Sequence, residues 1–558
     1  MATFRDRLDK IVVVNTFDSF YRLIDDRFST SRDLVQMLDD NGQEIDKHSK
    51  IREYILKFHF PTIDDDEILS IQSDKISAFD LITEEEIISI FEDCKNDKSP
   101  GPDEPTMGII KEIFFDNKSL FINLLNLCLY KGIFPKVWKR ETNVALIPKS
   151  GKDLRLPNNY RPICLLPVWG KVLDKILAQR LSYFLEQNNK FHDLQFGFRK
   201  DRNTSLALYE VINTITTNKN NNLLTAIISL DISNAFNSVR WSDIIRILFE
   251  EEGSCLFPIL FSLIADRLLR DLNTDDKIKV IMFPDDIVIL TADLAIYRFS
   301  ESTKIPLDKV SLWAENRRLK INPLKSVYTV FTRKLTRRLQ ILFQQSNIKS
   351  SSQIKYLGIF IDNKLSLIPH LNYLKEKSLK LQNKLIRFCR TTFGVKPEEV
   401  KEIYLRVTER ILMYGSEIWY RNTAIMNRKI LSLQRNALRN ITKTYKTVST
   451  LSIQVRAGIP PLDLSIKFHQ EKFRLIKLKT DILINNELLI ANNVNVPPPR
   501  VPPWRGRRIF WNIEQSNVNM KNESNFNYYT DGSKIDGRTV VVLLYLGEEK
   551  RSKLSLLD

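Results

Sequence analysis

Two apolar runs that end on acids limit the folds open to this chain more than any other feature. Ala226-Ile-Ile-Ser-Leu230 runs into Asp231, and Lys279 to Leu290 is interrupted by Pro284-Asp285-Asp286. Short apolar runs rich in β-branched residues and bounded by turn residues read as strands. The first is expected as a buried strand closing on Asp231, the second as a hairpin with its acids at the turn. A sheet that pairs them sets three carboxylates side by side. Burying three acids with nothing to offset them is costly. Hard divalent cations such as Mg²⁺ take oxygen ligands, and two of them about 4 Å apart can activate a hydroxyl and steady a leaving pyrophosphate. An isolated Asp-Asp pair also makes an ordinary solvated β-turn, and at this level both readings stand.

Charge points to a partner. The 558 residues, enough for three or four domains at roughly 150 each, carry a formal net charge of +17. Residues 1–93 hold 11 basic and 22 acidic side chains, so the remainder carries +28, and residues 370–446 hold 17 basic against 6 acidic. An acidic head on a basic body is the asymmetry of a polyanion-binding protein; the plainer alternative is a solvated helical surface. Hydrophobic residues at 43% and charged ones at 27% exclude wholesale disorder and collagen. The longest apolar runs, such as Leu223 to Leu230, stop well short of the ~18 residues of a membrane span. Met1-Ala-Thr-Phe-Arg-Asp6 turns charged at once, without a signal core. No membrane partner and an intracellular location are expected. Cys94, Cys128, Cys164, Cys255 and Cys389 are widely spaced with no Cys-x-x-Cys, and read as reduced core residues.

Local signals fill in the elements. Thr83 and Glu86 have capping-box spacing before Ile87, predicting a helix to about Cys94 that Lys98-Ser-Pro-Gly-Pro-Asp103 cannot continue. Helical periodicity returns over 107–131. Asn143–Ile147 and Ile163–Leu166 read as strands bounded by Pro148 and Pro162, with a helix following through Leu181. A strand pair is expected over Ile354–Ile361, then long helices to about 445. In the helix from about 371, Leu371, Leu374, Leu381, Leu385 and Phe388 mark one face and Lys377, Lys380, Lys384 and Arg387 another. Val496-Pro-Pro-Pro-Arg-Val-Pro-Pro503 is a stiff extended linker.

In this context Asp231-Ile-Ser-Asn-Ala-Phe236 and Phe283-Pro-Asp-Asp-Ile287 resemble the two carboxylate motifs of reverse transcriptases. Lys98-Ser-Pro-Gly-Pro-Asp103, Leu146-Ile-Pro-Lys149, Asn159-Tyr-Arg-Pro-Ile-Cys-Leu165, Gln195-Phe-Gly-Phe-Arg199, Tyr356-Leu-Gly358 and Tyr414-Gly415 with Trp419 follow in the order of non-LTR (LINE-type) retrotransposon reverse transcriptases. Lys446-Thr-Val-Ser-Thr450 through Ala457-Gly-Ile-Pro-Pro-Leu-Asp463 is similar to insect elements of that class, and the resemblance runs from about residue 50 to 535.

The resemblance implies an α+β right-hand polymerase with fingers, an antiparallel palm sheet and a helical thumb. The divisions are an acidic N-terminal helical extension over 1–95, fingers with part of the palm over 96–225, palm over 226–365, thumb and connection over 366–490, a Pro-rich linker over 491–525, and a truncated ribonuclease H-like fragment over 526–558. It implies an RNA-directed DNA polymerase using Mg²⁺ (or Mn²⁺), dNTPs, an RNA template and a DNA primer or target, working in the nucleus. Asp231, Asp285 and Asp286 match the metal-binding catalytic triad. Lys149, Arg161, Phe236 and Gly253 match nucleotide-binding positions. Arg199 and Lys200 match template or phosphate contacts, and Lys377, Lys380, Lys384 and Arg387 the thumb surface on the duplex backbone, where contacts set salt-dependent affinity without reading sequence. Trp313, Leu319, Asn322 and Lys325 fit the next palm block, and Ile354–Ile361 the hairpin that helps hold the primer terminus. Tyr528-Tyr-Thr-Asp-Gly-Ser-Lys534 resembles the opening strand of ribonuclease H, with Asp531 as its first acid; an Asp-Gly turn closing a hairpin is the alternative.

Four departures accompany the resemblance. Only 13 residues separate Val239 from Gly253, so the palm is internally shortened near 240–252. Glu251-Glu252-Gly253-Ser254 replaces Pro-Gln-Gly-Ser, adding charge that repels phosphate. Pro284 replaces an alanine, removing an N–H and fixing φ, which is expected to shift both carboxylates. Glu104 replaces a glycine. The copy is expected to be impaired; a catalytically dead nucleic-acid-binding remnant is the alternative.

Overall fold

The computed structural model describes residues 36–39, 41–60, 80–139, 142–149, 153–233, 257–332, 339–388, 397–484, 487–491, 532–535 and 538–541. They fall in two compact units, Met1–Arg505 and Gly506–Asp558.

The first unit opens with a ribbon of β1 (Met37–Leu38) and β2 (Glu44–Ile45), then helix α1 (His48–His59). Met37, Ile51 and Ile55 pack with Tyr160, and the buried His59 ring donates from Nε2 to the Pro157 carbonyl at 3.0 Å. Helix α2 (Glu84–Glu92) begins as its capping pair predicts, with Thr83 Oγ1 accepting from the Glu86 amide. The single helical stretch expected over 107–131 is two helices, α3 (Met107–Asp116) and α4 (Lys118–Lys131). Asn117 leaves helical geometry while its amide still bonds to the Ile113 and Phe114 carbonyls. Strands β3 (Asn143–Pro148) and β4 (Tyr160–Leu165) form a separate antiparallel ribbon. Pro162 lies inside β4 opposite Leu146, not at its border; a two-stranded ribbon has edges that need no amide. Cys164 on this ribbon is exposed, which corrects its expected place in the core. Helix α5 (Val168–Gln187) joins α2, α3 and α4 around Ile87, Ile90, Phe114, Leu125 and Ile176.

The sheet lies further along. Helix α6 (Thr204–Asn220) leads into β5 (Leu224–Ser233); α7 (Phe257–Leu272) precedes the hairpin β6 (Ile278–Phe283) and β7 (Asp286–Asp293); α8 (Lys304–Asn316) precedes β8 (Lys320–Ile321) and β9 (Val327–Phe331). Short strands β10 (Leu342–Phe343), β11 (Ser346–Asn347) and β12 (Lys349–Ser350) lead to the hairpin β13 (Gln353–Tyr356) and β14 (Ile359–Asp362). The sheet order is β12-β9-β5-β7-β6, antiparallel except for β12 beside β9, with β8 pairing the end of β5. Alternation along β5 divides the core. Ala226, Ile228, Leu230 and Ile232 face α7 and α8, while Ile227 joins Val288, Leu290, the α6 residues Leu208 and Val211, and the β13–β14 hairpin.

Helix α9 (Ile368–Phe388) lays Leu371 and Leu374 on that second face. A helical stretch over 397–413 contains a π-helical segment, Tyr404–Glu409. Helices α10 (Ala424–Thr442), α11 (Thr450–Ala457) and α12 (Leu462–Ile476) follow. The buried Gln434 amide ties them together: it donates to the Pro460 carbonyl at 2.8 Å and accepts from Gln454 and the Leu462 amide. A last ribbon of β15 (Ile482–Ile484) and β16 (Glu487–Leu489) closes the described part of this unit. In the second unit β17 (Gly532–Ile535) pairs antiparallel with β18 (Arg538–Val541).

Arg180 of α5 grips the fully buried Glu86 carboxylate through two contacts of 2.9 and 2.7 Å. Removing one partner of such a pair strands a buried charge. Arg180→Ala is expected to cost about 3–5 kcal/mol of stability, with Glu86→Gln in the same chain restoring part of it; denaturant unfolding of the three proteins measures both.

Candidate active site

Strand register builds the site. Asp231 stands directly opposite Asp286 across β5 and β7, so the two side chains share one face with Cβ atoms ~5 Å apart. It is the face of Ile227, Val288 and Leu290, covered by α6 and the β13–β14 hairpin. Asp285 sits beside Asp286 in the turn between Phe283 and Asp286. Burial, then the charges of Asp285 and Asp231, push Asp286 up to about 6. Burial raises Asp285 as well, opposed by its own backbone hydrogen bond and aided by the Asp231 charge.

Asp231 has a counterion. Its Oδ2 lies 3.3 Å from Lys325 Nζ, both side chains partly open to solvent. The Asn322 amide donates to the Asp231 carbonyl at 2.9 Å, and Asn322 Oδ1 accepts from the Leu324 and Lys325 amides, which fixes the turn carrying the lysine. The sequence places Asn322 and Lys325 in a palm block without linking them to Asp231; only the β5–β8 pairing makes that link. A second residue not foreseen at the carboxylates is Tyr356. Its hydroxyl is buried with no hydrogen-bond partner among the described residues, and its pKa is raised by burial and by the Asp286 charge. Among the described residues no three His, Cys, Asp or Glu side chains are gathered closely enough to hold a metal ion. The chemistry of the donor set still fits one: three carboxylates, two of them held above their ordinary range by burial first and by the charge of neighbouring acids, Asp231 for Asp285 and both Asp285 and Asp231 for Asp286.

Pro284 does not break the hairpin that carries the acids. Pairing is unbroken to Phe283↔Asp286, because proline occupies the first turn position, where its fixed φ suits the chain and no amide is needed. Gly197 packs against it so closely that a Cβ there would lie 2.7 Å from Pro284 Cα. The segment holding Gly197 runs beside β6, with Phe196 and Met282 amides bonding to the Met282 and Leu194 carbonyls. Arg199, expected at the template, instead has its guanidinium turned inward, where it anchors that segment. Its side chain is 6% exposed, pairs with the buried Glu186, donates to the His192 and Gln195 carbonyls, and lies over Phe191. Its motif spacing alone carries no sign of the Glu186 partner on α5.

The other expected residues fall in three groups. Lys149 and Arg161 lie on one face of the β3–β4 ribbon, since Arg161 pairs with Ile147; Arg161 is exposed and Lys149 Nζ donates to the Asn158 carbonyl at 2.6 Å. Lys200 and Lys380 are exposed, and Lys377 lies over the Tyr373 ring. Phe236, Gly253, Asp531 and the side chains of Lys384 and Arg387 lie outside the described residues, as do Cys255, Cys389 and the shortened segment near 240–252.

The model of the family described as "Reverse transcriptase (RNA-dependent DNA polymerase)" matches residues 147–254 and 251–361. Residues 147–361 thus match a reverse transcriptase domain, and the β5 and β7 acids lie among them. Relatives lie in mobile elements. The chain is 24% identical over 473 residues to "Putative 115 kDa protein in type-1 retrotransposable element R1DM" of Drosophila melanogaster, covering 78% of this chain and 45% of that protein. It is also 24% identical over 440 residues to "RNA-directed DNA polymerase from mobile element jockey" of the same species, covering 70% and 47%. The chain spans about half the length of the curated relatives it matches. A solved telomerase structure from Candida albicans overlaps 66% of this chain and 68% of its own at 12% identity and a TM-score of 0.30. Among the described residues no helix is long and apolar enough to cross a membrane.

Two predictions follow from the charges. The folded-state pKa of Asp286 lies above its ordinary 3.8, so its contribution to stability is present below about pH 4 and lost as pH rises to about 6. In EDTA at pH 7.5, Asp286→Asn should stabilise the protein by about 1–2 kcal/mol, below the roughly 3 kcal/mol of two pH units because solvent reaches the turn. The gain should shrink at pH 4.5 in the same denaturant melts. Arg199→Ala should cost about 3–5 kcal/mol and leave the salt slope of nucleic-acid binding unchanged, whereas Lys380→Ala should lower that slope by about one.

Proposed function

We propose that this chain is the polymerase part of a non-LTR retrotransposon reverse transcriptase, adding deoxynucleotides to a DNA 3′ end on an RNA template. The observation that carries the reading is Asp231 in register with Asp286, Asp285 alongside, within the residues matched by the family model. Residues 96–225 serve as fingers, 226–365 as palm and 366–490 as thumb. Mg²⁺ (or Mn²⁺) held by Asp231, Asp285 and Asp286 would supply polarisation of the 3′ hydroxyl and neutralisation of the departing pyrophosphate. Lys149 and Arg161 meet the triphosphate from the ribbon with cationic donors. Phe236 and Gly253, by the resemblance of their motifs, are assigned to nucleotide binding. Lys325 shields Asp231 in the metal-free protein and gives way when the carboxylate turns to a cation. Lys200 and the exposed lysines of α9 hold the template and duplex backbones.

The copy works slowly in this reading, since Glu251 and Glu252 add negative charge where phosphates bind. Glu251 and Glu252 also favour one rival, a nucleic-acid binder without chemistry. Primer extension on an RNA template with dNTPs and Mg²⁺ separates the two. Extension that falls at least about 100-fold in Asp285→Ala is expected; salt-sensitive binding with no extension selects the rival, and extension indifferent to the substitution removes the metal assignment.

A further inference from the structure

Two sequence blocks 57 residues apart, Tyr356-Leu-Gly358 and Tyr414-Gly415, meet in one contact. Leu357 and Gly358 form the two-residue turn of the β13–β14 hairpin, both at positive φ, 43° and 84°. Turns of this kind favour Asn, Asp or Gly at both places, and a leucine there is strained. Tyr414 bears on this point. Its hydroxyl donates to the Leu357 carbonyl at 2.9 Å, and its ring lies against Gly358, where an added Cβ would sit 3.4 Å from the ring carbon Cε1. Behind it, the Tyr414 carbonyl accepts from Trp419 Nε1 at 2.9 Å, and Trp419 is buried. Gly415, at φ +63°, is pressed so close to Ile359 that a Cβ would lie 2.4 Å from its Cδ1. On the other side of the turn, Tyr356 is buried in the same apolar cluster as Val288 and Leu290 of β7, the strand that begins at Asp286. A line of packed groups therefore runs from Trp419 through Tyr414 and the strained turn to β7.

We propose that Tyr414 is a positioning residue: it latches the Leu357–Gly358 turn to the helical part of the chain and thereby sets where the DNA 3′ end lies relative to Asp286. The proposal rests on the polymerase reading. It assigns no chemistry to Tyr414, which is 43% exposed and acts only through the hairpin. Losing the hydroxyl frees the turn to relax out of its strained form, and a reacting group displaced by about 1 Å can lose most of its rate.

The test uses the full chain and an RNA template with a DNA primer ending in 4-thiothymidine, irradiated after binding, with the cross-linked peptide identified by mass spectrometry. In the parent protein the primer end is expected to cross-link within residues 353–362. In Tyr414→Phe, which keeps the ring, primer–template Kd and Tm should stay within about twofold and a few degrees, while the hairpin cross-link falls at least about fivefold. Single-nucleotide addition should lose kcat by a similar factor with the dNTP KM unchanged, a split that general loss of folding does not produce. Tyr414→Ala should lose more. Unchanged hairpin cross-linking in both variants, with binding intact, overturns the latch and leaves the polymerase reading standing. A parent protein that binds no primer–template overturns the polymerase reading and the latch with it.

Discussion

Everything at the carboxylates depends on the antiparallel register between β5 and β7. Eight residue pairs, from Leu224↔Asp293 to Asp231↔Asp286, tie the two strands. A slip of one residue would turn every side chain to the opposite face, placing Asp231 among Ile228 and Leu230 in the apolar cluster. Because both faces of β5 are buried, such a slip would drive the Asp231 carboxylate into apolar packing with no partner. The hydrophobic core thus enforces the juxtaposition of like charges that the strands alone would not choose.

That juxtaposition is unfavourable in itself, and the surroundings hold it in place. Gly197 seats Pro284, the Phe196 and Met282 amides bond the adjoining segment to β6, and Arg199 with Glu186 anchors its far end. Lys325 offsets part of the charge on Asp231. Local cost maintained by well-packed surroundings is characteristic of sites where chemistry or binding occurs. The strained Leu357–Gly358 turn, whose hairpin packs on the same face of the sheet, is a second instance.

Much of this was legible beforehand where the signal is local. The Thr83–Glu86 pair starts α2, the run before Asp231 is a buried strand, and Pro284-Asp285 makes the hairpin turn. Errors came where a local cap or a partner distant in sequence, rather than periodicity, decides the outcome. Asn117 splits a helix that periodicity alone would continue. Pro162 sits within a strand because, among the described residues, its ribbon pairs with no third strand. Cys164 is exposed on that ribbon for the same reason. Arg199 looks from its motif like a free cation, and only the fold brings Glu186 and two carbonyls around it.

By itself the sequence determined which segments alternate, cap and turn, and hence that acids stand at the ends of apolar strands, because those choices depend on neighbours within a few residues. Tertiary structure alone decided that Asp231 faces Asp286, that Lys325 is its counterion, that Arg199 is buried, and that Tyr414 meets Leu357. Each of those facts is a pairing across tens of residues. Such pairings are selected by the burial of shared apolar surface on the two faces of the sheet, a free energy that belongs to no single stretch of chain.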